Sequence, residues 1–229
     1  MKVSYEGFVE MLSELNQFIA NDYNPNYILE VRAIGGFSMI IHKRLGNIDG
    51  PREESRDIDS LTPDYPKEIV DEIMRIGEKH GALDADGWLN NHWNRTKEYR
   101  EEFEFFIQWK RVEDIQLSNI IVYYADLEAL FLFKIRAMDD RINRAHMEPR
   151  AQDVIDVISI LRAFEISDLD VINVDLIGST IQYFPYAINY LIENGLVKGT
   201  RMEVSNEKLK SFDHTEYFKD RIGRKKQTE

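Results

Sequence analysis

Tyr27-Ile28-Leu29-Glu30-Val31-Arg32-Ala33-Ile34-Gly35-Gly36-Phe37-Ser38-Met39-Ile40-Ile41-His42-Lys43-Arg44-Leu45 decides how this chain folds. Its first eight residues are rich in β-branched and apolar side chains and follow the turn signals Asn24-Pro25-Asn26, which predicts a strand ending at Gly35. Residues Phe37 to Leu45 have the composition and length of a helix. The local order is therefore strand, glycine turn, helix. Glycine allows backbone approaches that a Cβ would block, and the free amides that open a helix favour a phosphate group.

Downstream, Gly46 to Ser55 reads as a loop and Arg56-Asp57-Ile58-Asp59-Ser60-Leu61-Thr62 as a short strand. Side chains alternate along a strand, so Asp57 and Asp59 share one face while Ile58 points to the buried side. Two carboxylates on one face are hard oxygen ligands suited to Mg²⁺ (or Mn²⁺). Phosphoryl and nucleotidyl transfer need phosphates held in place and a cation to neutralise the attacking and leaving oxygens. A glycine pair alone is an ordinary turn, and an Asp-x-Asp alone is ordinary solvated charge. It is their order and spacing that join them.

Upstream, Phe8, Met11, Leu12, Leu15 and Phe18 fall at spacings of three and four, one apolar face of a packing helix. Pro66 suits a helix start, Ile69, Ile73, Met74 and Ile76 line that helix, and Gly81 can end it. Trp88 to Trp93 reads as irregular, with both tryptophans assigned to packing rather than to stacking on a base. Strands are expected over Phe103 to Trp109 and Asn119 to Tyr124, and helices over Leu127 to Met138, Asp153 to Leu161 and Ile181 to Leu196. The basic tail, Phe218 to Glu229, is expected to be a solvated terminus. The expected fold class is α+β: a small mixed sheet with helices over residues 1–125, then a mainly helical region over 126–229.

Composition narrows the function. The formal charge is −12, and residues 1–125 hold 14 basic and 23 acidic side chains, which argues against broad nucleic-acid binding. A locally basic groove remains compatible with an RNA substrate, because Arg136, Arg141, Arg144 and Arg150 cluster near Lys134. There is no cysteine, and the five histidines lack zinc-ligand spacing; His42 and His92 are expected to be structural or exposed. No signal-like start and no bilayer-length apolar run is present, so the expectation is a cytoplasmic protein with no membrane partner.

Ala33-Ile34-Gly35-Gly36-Phe37-Ser38 with Arg56-Asp57-Ile58-Asp59 resembles the signature of the DNA polymerase beta-like nucleotidyltransferase superfamily: a Gly-Gly or Gly-Ser helix start, then Asp-x-Asp on the next strand. Gly87-Trp88-Leu89-Asn90, Lys134-Ile135-Arg136-Ala137 with Arg141, and Asp153-Val154-Ile155-Asp156 narrow the likeness to its compact prokaryotic group. That group includes the abortive-infection toxin nucleotidyltransferases, and the likeness spans residues 28–162. The resemblance implies that Gly35, Gly36 and Ser38 bind the nucleotide and that Asp57 and Asp59 hold the metal. It further implies that Lys134 neutralises the triphosphate, while Asp153 or Asp156 completes the catalytic set. Many of these enzymes use a third carboxylate, for which Glu104, Asp114 and Asp126 are all open. The implied activity is transfer of a nucleoside monophosphate from a nucleoside triphosphate to an RNA end or a small molecule, within a toxin–antitoxin setting. Two other readings stand beside it: an inactive nucleotidyltransferase fold acting as a binding or antitoxin-like partner of another protein, and a structural α+β protein.

Overall fold

The computed structural model describes residues 2–62, 64–82, 87–91, 107–174, 177–178 and 181–204. It is a mixed α+β protein in two compact units, Met1–Arg44 with Pro51–Asp126, and Leu45–Gly50 with Leu127–Glu229.

In the first unit, β1 (Val3–Ser4) leads into α1 (Tyr5–Phe18), whose start is capped by Ser4 Oγ accepting from the Gly7 amide at 3.2 Å. The apolar stripe expected on α1 is real: Phe8, Met11, Leu12 and Leu15 are all buried. A π-helical turn, Ile19–Tyr23, ends the helix before β2 (Leu29–Ala33), and α2 spans Gly35–Arg44. The glycine pair is thus not a turn preceding the helix but its first two residues. Next come β3 (Glu54–Ser55), β4 (Ile58–Asp59), α3 (Lys67–His80), β5 (Leu89–Asn90), β6 (Trp109–Arg111) and β7 (Ile120–Ala125).

The central sheet has the order β2-β7-β6. β2 runs parallel to β7 in the register Leu29 to Ile120 through Ala33 to Tyr124, and β6 is antiparallel to β7. β2 buries every second residue, and the side it buries packs in one core with α1, α2 and α3 through Phe8, Leu12, Val31, Phe37, Ile73 and Val122. Phe37 is held between Tyr5, stacked at 5.9 Å, and Phe8, edge-on at 5.2 Å. Each such fully buried side chain contributes roughly 1.5–3 kcal/mol. Trp88 belongs to this core and is fully buried, with its indole N–H donating to the Ile73 carbonyl at 2.8 Å.

The strand expected over Arg56 to Thr62 is only two residues long. β4 pairs in parallel with β5, and at Ser60 the chain instead bridges antiparallel to Ala33 at the end of β2. The Leu61 amide donates to the Arg32 carbonyl at 3.0 Å, and a hydroxyl relay adds to this backbone link. Ser60 donates to Thr62 Oγ1, whose own hydrogen goes to the Glu30 carbonyl at 2.7 Å. Of the strand expected over Phe103 to Trp109, residues 103–106 lie outside the described residues, as do Glu104, His92, Trp93 and the basic tail.

The second unit is helical: α4 (Leu127–Asn143), α5 (Ala151–Ala163) and α6 (Pro185–Glu193), with α4 packed against both others. α6 is shorter than the expected Ile181 to Leu196, because Pro185 sets its first turn. No helix among the described residues is long and apolar enough to cross a membrane.

Candidate functional site

The two glycines that open α2 have different occupants. Gly35 has a φ of +62°, where L side chains are strained, and a Cβ built on it would lie 2.6 Å from Asp59 Oδ2. On Gly36 a Cβ would collide with the Arg52 guanidinium and with Ser55 Oγ. The missing side chains therefore admit an acid and a base: Asp59 against Gly35, and Arg52 across Gly36. No acidic residue stands in the first turn of α2. The first amides of a helix have no partner within it and, at the positive end of its dipole, are the electrostatic complement of an anion.

Asp57 and Asp59 flank Ile58, which is fully buried, and both carboxylates are half-buried, as alternation along the chain predicts. β5 braces them. The Ile58 amide donates to the Trp88 carbonyl at 2.7 Å, the Ser60 amide to the Asn90 carbonyl at 2.8 Å, and the Asn90 side-chain amide to Asp57 Oδ2 at 3.1 Å. On the other flank, the Ile34 amide donates to the Asp59 carbonyl at 2.9 Å, which ties the acidic pair to the end of β2. Asn90 was not singled out as a functional residue in the sequence; it closes the Gly87-Trp88-Leu89-Asn90 stretch quoted for the resemblance. Arg52 was also missed, since it sits in a charged loop that reads as solvated.

Ser38 is fully buried, and its hydroxyl donates to the Ala33 carbonyl at 2.7 Å, tying the first turn of α2 to the end of β2. Its one hydroxyl hydrogen is thus used within the fold. His42 is structural: its Nε2–H donates to the Ala125 carbonyl at 2.8 Å, and burial holds the imidazole below its usual range, hence neutral at pH 7.

The candidate third carboxylates are placed differently. Asp114 accepts from the Tyr5 hydroxyl at 2.7 Å and lies 3.7 Å from Arg44, the last residue of α2, at the opposite end of that helix from the glycines. Asp126 stands two residues beyond Tyr124, as Gly35 stands two beyond its register partner Ala33, which sets both at the carboxyl ends of the parallel strands. Asp126 Oδ2 accepts from the Gln108 amide at 2.6 Å.

Within the second unit, Lys134 on α4 meets both acids of Asp-x-x-Asp on α5. Its Nζ lies 2.9 Å from Asp153 Oδ1 and 2.9 Å from Asp156 Oδ2. One helical turn separates the two acids, which is why both reach one ammonium. All three are buried, at 8%, 9% and 1% exposure, and Gln152 Nε2 donates to Asp156 Oδ1 at 3.0 Å. At such depth removing one partner would leave the others without their ion pair. The basic cluster beside it is largely matched. Arg136 and Arg144 lie 3.6 and 3.3 Å from Asp140, and Arg141 donates to the Glu148 carbonyl at 2.7 Å. Asp139, on the same helix, was also missed; it accepts from the Ala187 amide at 3.0 Å in the first turn of α6, and burial raises its pKa to about 6.

Among the described residues, one further group gathers metal-type ligand atoms, Glu10, Glu14 and His80, within 4.8 Å of one another. Lys79 and His80 both contact Glu14 Oε1, at 2.8 and 2.6 Å, and the hydrogen bond from Lys79 holds that carboxyl below its usual range. An ion-pair network linking α1 to α3 accounts for it.

No family model matches the chain, and neither a curated protein nor a solved structure matches it.

Proposed function

We propose that this protein is a Mg²⁺- (or Mn²⁺-) dependent nucleotidyltransferase that moves a nucleoside monophosphate from a nucleoside triphosphate to an RNA end or a small molecule. The observation that supports it is the seat of Asp59: its carboxylate lies against Gly35 at the anion-favouring start of α2, with Asp57 two residues before it, just ahead of the short strand. Two half-buried carboxylates of this kind fit a hard divalent cation, and Asp57 and Asp59 are the residues that would hold it. When bound, such an ion neutralises phosphate charge and polarises the phosphoryl oxygen.

The chain's own residues supply positioning. The first amides of α2 receive the phosphates, Asn90 keeps the Asp57 carboxylate turned to one side, and the buried Ser38 fixes the helix start to β2. By resemblance, Lys134 neutralises the triphosphate, and Asp153 or Asp156 adds the remaining acid. Within the second unit Lys134 Nζ stands 2.9 Å from an oxygen of each of those acids.

A second reading, an inactive fold serving as a binding or antitoxin-like partner module, is favoured by Asp114. That carboxylate is engaged by Tyr5 and Arg44 at the far end of α2. Calorimetric titration with ATP, GTP, CTP and UTP, with and without Mg²⁺, separates the readings when paired with label transfer from α-³²P nucleotides to RNA or small acceptors. Metal-dependent binding that disappears in Asp57→Ala/Asp59→Ala, together with transfer, supports the enzyme. Binding without transfer supports the partner module, and no binding to any triphosphate overturns the nucleotide site.

A further inference from the structure

We infer that Arg52 is the side chain that grips the phosphate chain of the nucleotide, an assignment that rests on the nucleotide site proposed above. Its neighbours Glu53 and Glu54 are exposed, with Glu53 pairing outward to Lys43 at 3.1 Å, whereas Arg52 turns inward and is half-buried. There its guanidinium lies across Gly36, in space that any other residue at that position would fill with its own Cβ.

The guanidinium is aimed rather than loosely draped. Ser55, buried and fixed in β3 by its pairing with Val3, accepts from Arg52 Nη2 at 3.4 Å. That bond holds the planar fork beside the helix start, on the residue next to the one that seats Asp59. The positive end of a helix dipole disfavours a cation, and here the guanidinium shares that end with the Asp59 carboxylate seated against Gly35. A bound polyanion reverses the sign of that interaction. Arg52, the first-turn amides and a cation on Asp57 and Asp59 then converge as three positive sources on one ligand. The planar fork matches two phosphate oxygens at once, so the preferred ligand is a di- or triphosphate rather than a single carboxylate.

This assigns each glycine a separate task. Gly35 seats the metal-binding acid, and Gly36 seats the phosphate-binding base. A side chain at position 36 would therefore act by displacing Arg52.

The test compares wild type, Arg52→Gln and Arg52→Lys by calorimetry against three Mg²⁺-containing probes: a nucleoside triphosphate, inorganic tripolyphosphate and the matching nucleoside monophosphate. The expected result is a loss of at least tenfold in affinity for triphosphate and tripolyphosphate in Arg52→Gln. Monophosphate affinity should stay within about twofold, and Arg52→Lys should fall between. Equal triphosphate affinity in wild type and Arg52→Gln overturns the assignment while leaving the nucleotide site standing. So does a uniform weakening of all three probes, which marks Arg52 as a loop anchor only. If Arg52→Gln fails to fold, Arg52→Lys decides: a lysine that keeps full tripolyphosphate affinity removes the need for a bidentate fork and overturns the assignment. Wild type that binds no triphosphate removes the parent reading and this one with it.

Discussion

At Gly35 two separate constraints meet: a left-handed backbone at φ +62°, and an Asp59 oxygen 2.6 Å from the place of a Cβ. Gly35→Ala is expected to cost about 1–2 kcal/mol from the backbone alone. It should also push Asp59 off its seat, so Mg²⁺-dependent nucleotide affinity should fall by more than stability does. Chemical denaturation and calorimetry on the same variant check both; unchanged nucleotide affinity would mean that Asp59 does not depend on Gly35 for its position. At Lys134 the balance is electrostatic. Lys134→Met strands two buried carboxylates and should cost about 3–5 kcal/mol, whereas Lys134→Met/Asp153→Leu/Asp156→Leu should recover most of it. A single variant with wild-type stability in urea would count against the trio as a structural link. Asp57, Asp59 and the glycine pair were legible because alternation and glycine's backbone freedom are local properties. Asn90 and Arg52 were not, since each acquires its meaning from a contact made 33 or 16 residues away, with Asp57 and Gly36 respectively.

Among the elements, α1 and α3 were readable from periodicity and end signals, α2 from its composition and length, and β2 from its apolar, β-branched run between turn signals and glycines. β4 fell short of its expected length because pairing, not propensity, sets where a strand ends; at Ser60 the chain passes from β5 to the end of β2. The join between α4 and α6 was invisible for a similar reason. Asp139 receives the start of α6 across the helical unit, and burial lifts its pKa from 3.8 to about 6. A folded-state pKa above the unfolded one means that the folded protein holds this proton more tightly. The resulting stability is complete below about pH 4 and is lost as pH rises through about 6. Asp139→Asn keeps an acceptor for the α6 amide without burying a charge, so it should be close to neutral at pH 4 and stabilising by about 1–3 kcal/mol at pH 8. Urea melts at the two pH values check this, and a variant that is less stable at pH 8 would show that the charged carboxylate is what the helix start requires.

For the whole molecule, the excess of acid described above bears on the acceptor. A long RNA would meet an unfavourable average field, and Arg136, Arg144 and Arg141 already have partners within their own unit. Contact with a short RNA end or a compact small molecule asks less of that surface. The mixed α+β class followed from the order of the predicted elements, but the compact units do not follow chain order. Residues Leu45–Gly50 leave the first unit directly after α2 and belong to the second, before Pro51 returns. That detour carries Ile48, which is buried, and Gly50, whose missing side chain leaves room for Ser159. The helical unit is therefore not a cassette. Recombination at a single point after Asp126 would carry away most of it while leaving six of its residues behind in the donor, so any exchange of this half between proteins would have to bring the α2–β3 loop along.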